Sequence, residues 1–376
     1  MVAAYKAAII GHTGTGDYGH GLDLVYKDMS EVAVVAVADP DPSGLEAAFI
    51  RTNAERAYSD YNEMLEKEKV DIVNVCPRVL VHHAEMVKAV ASSSARALFC
   101  EKPLAATLAE ADSMLEACRQ GQVRVAVAHR RANPYEQLAK RWVNEGRIGQ
   151  LQVLRSRGKW DRRAGGEDLA VLGPHMMDSM RYMAGAEVKW VHAHVQKNGR
   201  SVTSEDSRIG NEGIGLIAGD QIAAYYAFEN GITGHFESLP NHKCSARNTR
   251  HFGFEIHGTE GILSLRNSPN GEMYFYNDGL FIPDDEVAWE RVYIDQWEAI
   301  PINERTHHSN LTIVKELLEA MEKDCDVVEA SSGQDALAAQ EMIAAVHESE
   351  RVGGRVNLPL INRENPYSLW LDSDSK

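Results

Sequence analysis

Ala7-Ala8-Ile9-Ile10-Gly11-His12-Thr13-Gly14-Thr15-Gly16-Asp17-Tyr18-Gly19 is the stretch that decides the fold. Its apolar start, closed by Gly11, reads as a central parallel strand buried on both faces. Gly14 to Gly19 satisfies G-x-G-x-x-G, with Thr15 between the first two glycines. Glycines here permit a tight turn and a close approach of backbone to a pyrophosphate, whose charge meets the amides of the following helix. That helix is expected over residues 22–27. A second apolar strand, Val32–Ala38, ends in Asp39, at the distance expected of the acid that accepts hydrogen bonds from the adenosine ribose. A carboxylate repels a 2′-phosphate, and Pro40, Asp41, Pro42 and Ser43 bring no cation, so the cofactor is read as NAD in preference to NADP.

Outward from this stretch the alternation continues. Helices are expected over 61–67, 82–91 and 108–119, and strands over 70–75, 95–100 and 123–128. This spacing predicts a doubly wound parallel α/β sheet in a domain over residues 1–128. The strand at 95–100 leads into Glu101-Lys102-Pro103, which puts an ammonium group at the C-terminal end of a parallel strand, where such sheets bind ligands. Proline after the lysine fixes φ and suits a tight turn.

Beyond residue 128 the pattern changes. Helices are expected over 134–145 and 176–184 and a strand over 152–159. Strand-like runs follow at 190–196, 213–217, 221–229, 231–237, 252–258, 261–266 and 272–276, many bounded by glycine or Asn-Gly, then late helices at 311–321 and 334–350. Residues 129–376 are thus expected to form a second domain, with antiparallel meanders beside a few helices. The tail from Asn362 gives no readable pattern.

With 376 residues, 44% hydrophobic and 25% charged, the chain has the composition of a globular protein of two domains. A formal net charge of −16 argues against nucleic-acid or anionic-membrane partners, which need a basic footprint. The five cysteines, Cys76, Cys100, Cys118, Cys244 and Cys325, contain no Cys-x-x-Cys pair and read as free thiols of a reducing compartment. No signal peptide or membrane-length apolar run is read, so a cytoplasmic location is expected. Adjacent histidines such as His307-His308 point in different directions, and no metal site is expected.

Four blocks carry a family resemblance: the Gly-rich loop with Asp39; Cys76-Pro77 followed by His83-Ala84-Glu85; Glu101-Lys102-Pro103; and Gly165 through Gly173-Pro174-His175-Met176-Met177-Asp178. In order and spacing the chain resembles the glucose–fructose oxidoreductase, inositol dehydrogenase and rhizopine catabolism family, Gfo/Idh/MocA. The resemblance implies a Rossmann domain over residues 1–128, an α+β domain with a large, mostly antiparallel, open-faced sheet over residues 129–376, NAD(P)-dependent oxidation of sugars, polyols and related hydroxyls, and homodimers or homotetramers joined through the open sheet. It implies that Gly11, Gly14, Thr15, Gly16, Gly19, Asp39, Cys76, Pro77, His83, Glu101 and Lys102 serve the cofactor. It also implies that Lys102 contacts the reacting hydroxyl, that His175 is the acid/base and that Asp178 is its carboxylate neighbour. The chemistry agrees: hydride leaves carbon only as the hydroxyl proton departs, which calls for a base of near-neutral pKa and a cation beside the developing alkoxide. Many members carry an aspartate four positions before the histidine, where this chain has Val171.

For the substrate, Trp160, Arg162 and Arg163 offer an aromatic face and two cations, and Arg130 and His242 are further candidates beside Lys102 and His175. The same residues suit two other schemes. One is a glycosidase that oxidises its sugar, eliminates the aglycone and reduces the ring again. The other is a non-catalytic regulator that binds NAD and a sugar.

Overall fold

The computed structural model describes residues 4–240, 251–266, 271–282 and 286–373. They fall into two compact units, the first made of Met1–Ala132, Glu212–Ile214 and Thr306–Leu337, the second of Asn133–Asn211, Gly215–Arg305 and Ala338–Lys376.

In the first unit seven strands form one sheet in the order Ser331–Ser332, Arg124–Val127, Ala97–Cys100, Ile72–Val75, Tyr5–Ile10, Val32–Ala38, Arg56–Tyr58. Six run parallel, and Ser331–Ser332 joins the edge antiparallel to Arg124–Val127. Successive side chains of a strand point to opposite faces. Ala8 and Ile10 therefore enter one apolar cluster, with Val75, Leu98 and Met86, while Ala7 and Ile9 enter the other, with Phe99 and Val314. The second cluster explains why residues 306–337 belong to this unit. Helix Arg305–Lys323 buries Leu311, Val314, Leu317, Leu318 and Met321 there, an i, i+3, i+4 stripe worth roughly 2 kcal/mol per side chain before entropy. A division read from chain order alone, at residue 128, assigns that helix to the second domain.

Three local features differ from expectation. The helix over 22–27 is a 3-10 helix, Leu22–Asp28. Buried Asn74 donates to the Leu22 carbonyl (2.8 Å) and accepts from the Tyr26 hydroxyl (2.5 Å), so a strand side chain satisfies the tight turn in place of an α-helical ladder. Helix Pro42–Thr52 and strand Arg56–Tyr58 have no counterpart among the expected elements. The helix has an Asp41 cap accepting from Gly44 N–H (2.7 Å), but its buried residues are Gly44 and Ala48, too small to print an apolar stripe in the sequence.

In the second unit the main sheet runs Glu290–Val292, Glu272–Tyr276, Ile262–Arg266, Gly253–Gly258, Leu151–Arg157, Thr233–Ser238, Gln221–Phe228, Val188–Lys197, Val356–Asn357, with Arg200–Ser201 paired to Val188–Lys197. Every pairing is antiparallel except Leu151–Arg157 with Thr233–Ser238. Alternation sets the open face: Val191, Ala193 and Val195 are buried while His192 and His194 are exposed. Helix Gly173–Ala184 packs on Leu151–Arg157. The expected strand 213–217 shrinks to Leu216–Ile217, because Gly213 and Gly215 take φ of +73° and +77°. The tail contains a helix, Pro366–Ser373, anchored by fully buried Tyr367.

Candidate active site

In the first unit the Gly-rich loop leaves strand Tyr5–Ile10 and folds back on two neighbouring strand ends. Gly16 has φ +91°, and a Cβ there would lie 2.5 Å from the backbone nitrogens of Arg78 and Val79. Gly19 has φ +59°, and its Cβ would lie 2.6 Å from the Cys76 carbonyl oxygen and 3.1 Å from Glu101 Cγ. Both positions need glycine for conformation and for space. At Gly11 a Cβ would strike the Tyr18 ring at 2.1 Å, so that ring covers the end of the strand. Gly14, with φ +82°, would meet nothing within 4 Å, which leaves the loop open on that side.

Asp39 is buried where Val32–Ala38 ends, and its carboxylate is fully engaged. Thr13 N–H donates to both oxygens at 3.1 Å, the Thr13 hydroxyl donates to Oδ2 at 2.7 Å and Asp41 N–H to Oδ1 at 2.9 Å. Gly44 makes room for this, since a Cβ there would sit 1.9 Å from Thr13 Oγ1. The acid therefore ties the Gly-rich loop to the second strand.

Glu101 is wholly buried at the end of Ala97–Cys100, and Lys102 is 4% exposed and joined to Pro103 by a cis peptide. Lys102 N–H donates to Glu101 Oε2 at 3.1 Å, and His20 Nδ1 pairs with Oε1. Burial works to raise the Glu101 carboxyl, but His20 and then Lys102 outweigh it and hold the group below its usual range, ionised. Beside it, His83 is fully buried, its ring nitrogens 2.5 Å from the Pro77 carbonyl and 3.2 Å from that of Leu104. The imidazole joins the Cys76-Pro77 turn to the segment after Pro103. With no exposed surface, the imidazole braces the turn from inside the fold. Burial also pushes the Cys76 thiol well above its ordinary value, and it is the Cys76 carbonyl that faces the loop. Arg130 is half-buried in the 3-10 turn Arg130–Ala132, where Arg131 makes the 2.6 Å ion pair to Asp335.

In the second unit His175 is half-buried in the first turn of helix Gly173–Ala184, and Asp178 is wholly buried three residues on, on the same face. Val171, buried, ends helix Gly166–Val171. Trp160 adopts φ +54°, a conformation that strains a bulky residue and is held by Asp168. The Asp168 carboxylate, wholly buried, accepts from Lys159 N–H (3.1 Å), Trp160 N–H (3.3 Å) and the Ser238 hydroxyl (2.6 Å). Burial raises this carboxyl despite the three donors. The Trp160 indole donates to the Glu237 carbonyl (3.1 Å), and its ring lies 4.7 Å from that of His251. Arg163 pairs with Asp161 at 2.7 Å, and Arg162 is exposed. His242 lies outside the described residues.

The structure thus gathers the Gly-rich loop, Cys76-Pro77, His83 and Glu101-Lys102 at one end of the parallel sheet, with Asp39 joined through Thr13. Sequence reasoning missed Thr13, His20 and Ser238. Each acts through partners 26 to 81 residues away along the chain, for which one sequence carries no signal.

A family model described as an oxidoreductase family with an NAD-binding Rossmann fold matches residues 5–129, and the α/β C-terminal domain model of the same family matches residues 121–358. The chain is 26% identical to D-apiose dehydrogenase of Paraburkholderia graminis, across 97% of this chain and 92% of that one. It is 27% identical to levoglucosan dehydrogenase of Pseudarthrobacter phenanthrenivorans, across 70% of this chain and 75% of that one. A solved structure of levoglucosan dehydrogenase with NADH and levoglucosan superposes with a TM-score of 0.74 at 22% identity, covering 95% of this chain and all of the other (100%), which supports the fold.

Proposed function

The chain belongs to the Gfo/Idh/MocA oxidoreductase family, and on that premise we propose that it is an NAD-dependent dehydrogenase which oxidises a secondary hydroxyl of a sugar, polyol or glycoside, or reduces the matching ketone. The observation that carries the reading is Lys102, buried at the end of strand Ala97–Cys100 and tied through Glu101 to the Gly-rich loop. The loop fits a dinucleotide: glycine conformations at Gly14, Gly16 and Gly19 open the backbone, and Asp39 stands where a ribose would be met. Bound NAD supplies the hydride acceptor. The Lys102 ammonium hydrogen-bonds the reacting oxygen and stabilises the alkoxide charge as it develops. His175 takes the hydroxyl proton, and Asp178, one helical turn on, orients it and stabilises its charged form. With valine at 171, the proton work falls to Lys102 and His175. The Trp160 ring and the Arg162 and Arg163 cations are assigned to the sugar, with Arg130 and His242 as further contacts. The names of the D-apiose and levoglucosan relatives favour a carbohydrate.

We further propose a homodimer or homotetramer formed across the open sheet face, to be read from light scattering, and a cytoplasmic location. Among the described residues no helix is long and apolar enough to cross a membrane.

The test is NADH absorbance during incubation with NAD and a panel of polyols, free sugars, sugar acids and glycosides. One class should give a rise, and Lys102→Ala should cut that rate by roughly 10²-fold or more. Near-full turnover in Lys102→Ala would sink the mechanism. Release of aglycone from glycosides without net NADH would point to the internal-redox glycosidase, and ligand retention without chemistry to the regulator.

A further inference from the structure

In the parallel sheet the chain runs outward from Tyr5–Ile10 through Val32–Ala38 on one side, then crosses to Ile72–Val75 on the other. The strand order therefore reverses between Tyr5–Ile10 and Ile72–Val75, and an open α/β sheet takes its ligand in the crevice outside the carboxyl ends of two such strands. The loops that follow these two strands meet through a pair of imidazoles. His12, two residues beyond Ile10, stacks on His82 of the 3-10 turn Leu80–His82, with ring centroids 5.2 Å apart and planes 14° from parallel. The same loops are joined by Arg78 N–H, which donates to the Gly16 carbonyl at 3.2 Å, and by Arg78 with Asp17 at 3.9 Å. Neither ring is sealed: His12 is half-buried and the His82 side chain is 41% exposed.

A dinucleotide brings phosphate charge to this crevice, and its usual compensation is the N-terminus of the helix after the Gly-rich loop. Here that helix is only seven residues of 3-10 helix with Asp23 in its first turn, so its field is weak and opposed. The charged and titratable groups around the imidazole pair are Asp17 and Arg78, Glu85 and His83 on helix His83–Ala91, and Glu212, whose neighbour Gly213 packs on Leu80. Arg51 is paired with Asp23 and His20 with Glu101, and burial keeps His83 neutral. Glu85 stands 3.6 Å from His82 Nδ1, whereas among the described residues His12 meets no carboxylate within 4 Å.

We propose that His12 is an anion-binding side chain of the dinucleotide site, held in place by its stack on His82, and that it takes up a proton as the phosphates bind. The proposal rests on the reading of this site as one for NAD. Two stacked imidazolium ions repel, which disfavours a second proton on the free pair, and a phosphate beside His12 reverses that balance. The charged imidazole binds the anion better, so affinity should rise as pH falls and be lost as pH rises through the titration of the bound form. A shift of about one unit on binding, the low end for an opposite charge nearby, limits the gain to roughly tenfold.

The test is calorimetric titration of the full-length protein with NAD at pH 6 and pH 8.5, in buffers of different protonation enthalpy so that protons are counted. NAD should bind roughly three- to tenfold tighter at pH 6, with net proton uptake. His12→Gln should lose the uptake and bind NAD equally at both pH values. His12→Lys, with a cation that does not titrate in this range, should bind at pH 8.5 about as tightly as the parent at pH 6. His82→Phe keeps an aromatic face for the stack and should retain the uptake. A purely structural His12 would make His12→Gln weaker by the same factor at both pH values and leave the uptake intact. That outcome, a parent that binds NAD without proton uptake, or uptake that vanishes in His82→Phe but persists in His12→Gln overturns the proposal. Should His12→Gln fail to fold, His12→Lys decides, since undiminished uptake there also overturns it. Absence of NAD binding by the parent would instead retire the NAD reading itself, so the two failures are distinguishable.

Discussion

Replacing Asp39 with alanine should weaken NAD by much less than the loss of a vacant ribose-binding acid would suggest. All four acceptor sites of the carboxylate are occupied, by Thr13 N–H shared between both oxygens at 3.1 Å, Thr13 Oγ1 at 2.7 Å and Asp41 N–H at 2.9 Å. A ribose diol brings two donors but displaces the Thr13 hydroxyl from one site and turns the shared N–H to a single oxygen. The net gain is about one charge-assisted hydrogen bond, roughly 1.5–3 kcal/mol. Asp39→Ala is accordingly expected to raise the NAD dissociation constant by roughly 10- to 150-fold, since 1.4 kcal/mol is a factor of about ten. NADP should bind Asp39→Ala at least as well as the parent, because the charge that repels a 2′-phosphate is removed. The companion variant is Thr13→Ala, which frees one acceptor site and should leave NAD as tight as before or a few-fold tighter. Calorimetric titration of both variants with both cofactors measures this directly. NAD binding within about threefold in Asp39→Ala, or a loss in Thr13→Ala as large as that in Asp39→Ala, would refute the reasoning and reduce Asp39 to a residue that shapes the loop.

Gly19→Ala puts a Cβ 2.6 Å from the Cys76 oxygen at φ +59°. The left-handed conformation alone costs roughly 1–2 kcal/mol, so NAD affinity and melting temperature should both fall. Asp168→Ala strands three donors, two of them backbone amides, and should destabilise the protein by on the order of 3 kcal/mol in denaturant titration. Its NAD affinity should hold while carbohydrate turnover drops, because the hydrogen bonds it removes are those that fix Trp160. Burial pushes the His347 imidazole down to about 4, with Nδ1 2.9 Å from the Tyr367 hydroxyl. A depressed histidine supplies stability above its unfolded pKa, and that stability is lost as pH falls from about 6.5 toward about 4. His347→Gln should therefore show a flatter fall in melting temperature across that window, and an unchanged slope would exclude His347 as its source.

The sequence by itself determined the elements that depend on neighbours along the chain. Apolar residues that alternate between two cores print an unbroken run such as residues 7–10, and a loop pressed against other backbone requires glycine at Gly16 and Gly19. The same locality explains Glu101-Lys102-Pro103 at a strand end and the i, i+3 relation of His175 and Asp178. The tertiary structure decided whatever depends on a partner far along the chain. Helix Pro42–Thr52 packs through Gly44 and Ala48 and so leaves no apolar period to read. Helix Arg305–Lys323 is legible as a helix, but its place in the first unit is set by an apolar surface built from residues far earlier in the chain, from Ala7 and Ile9 to Phe99 and Ala126. His83 and Asp168 are legible as polar residues near motifs, and only burial against Leu104 and Ser238 makes them positioning groups. His20 carries no local mark at all, because the hydrogen bond that gives it meaning ends on a carboxylate 81 residues away. Local conformational preference is written in adjacent residues, whereas the pairing of charges and donors is fixed only when burial removes water and leaves each group its protein partners.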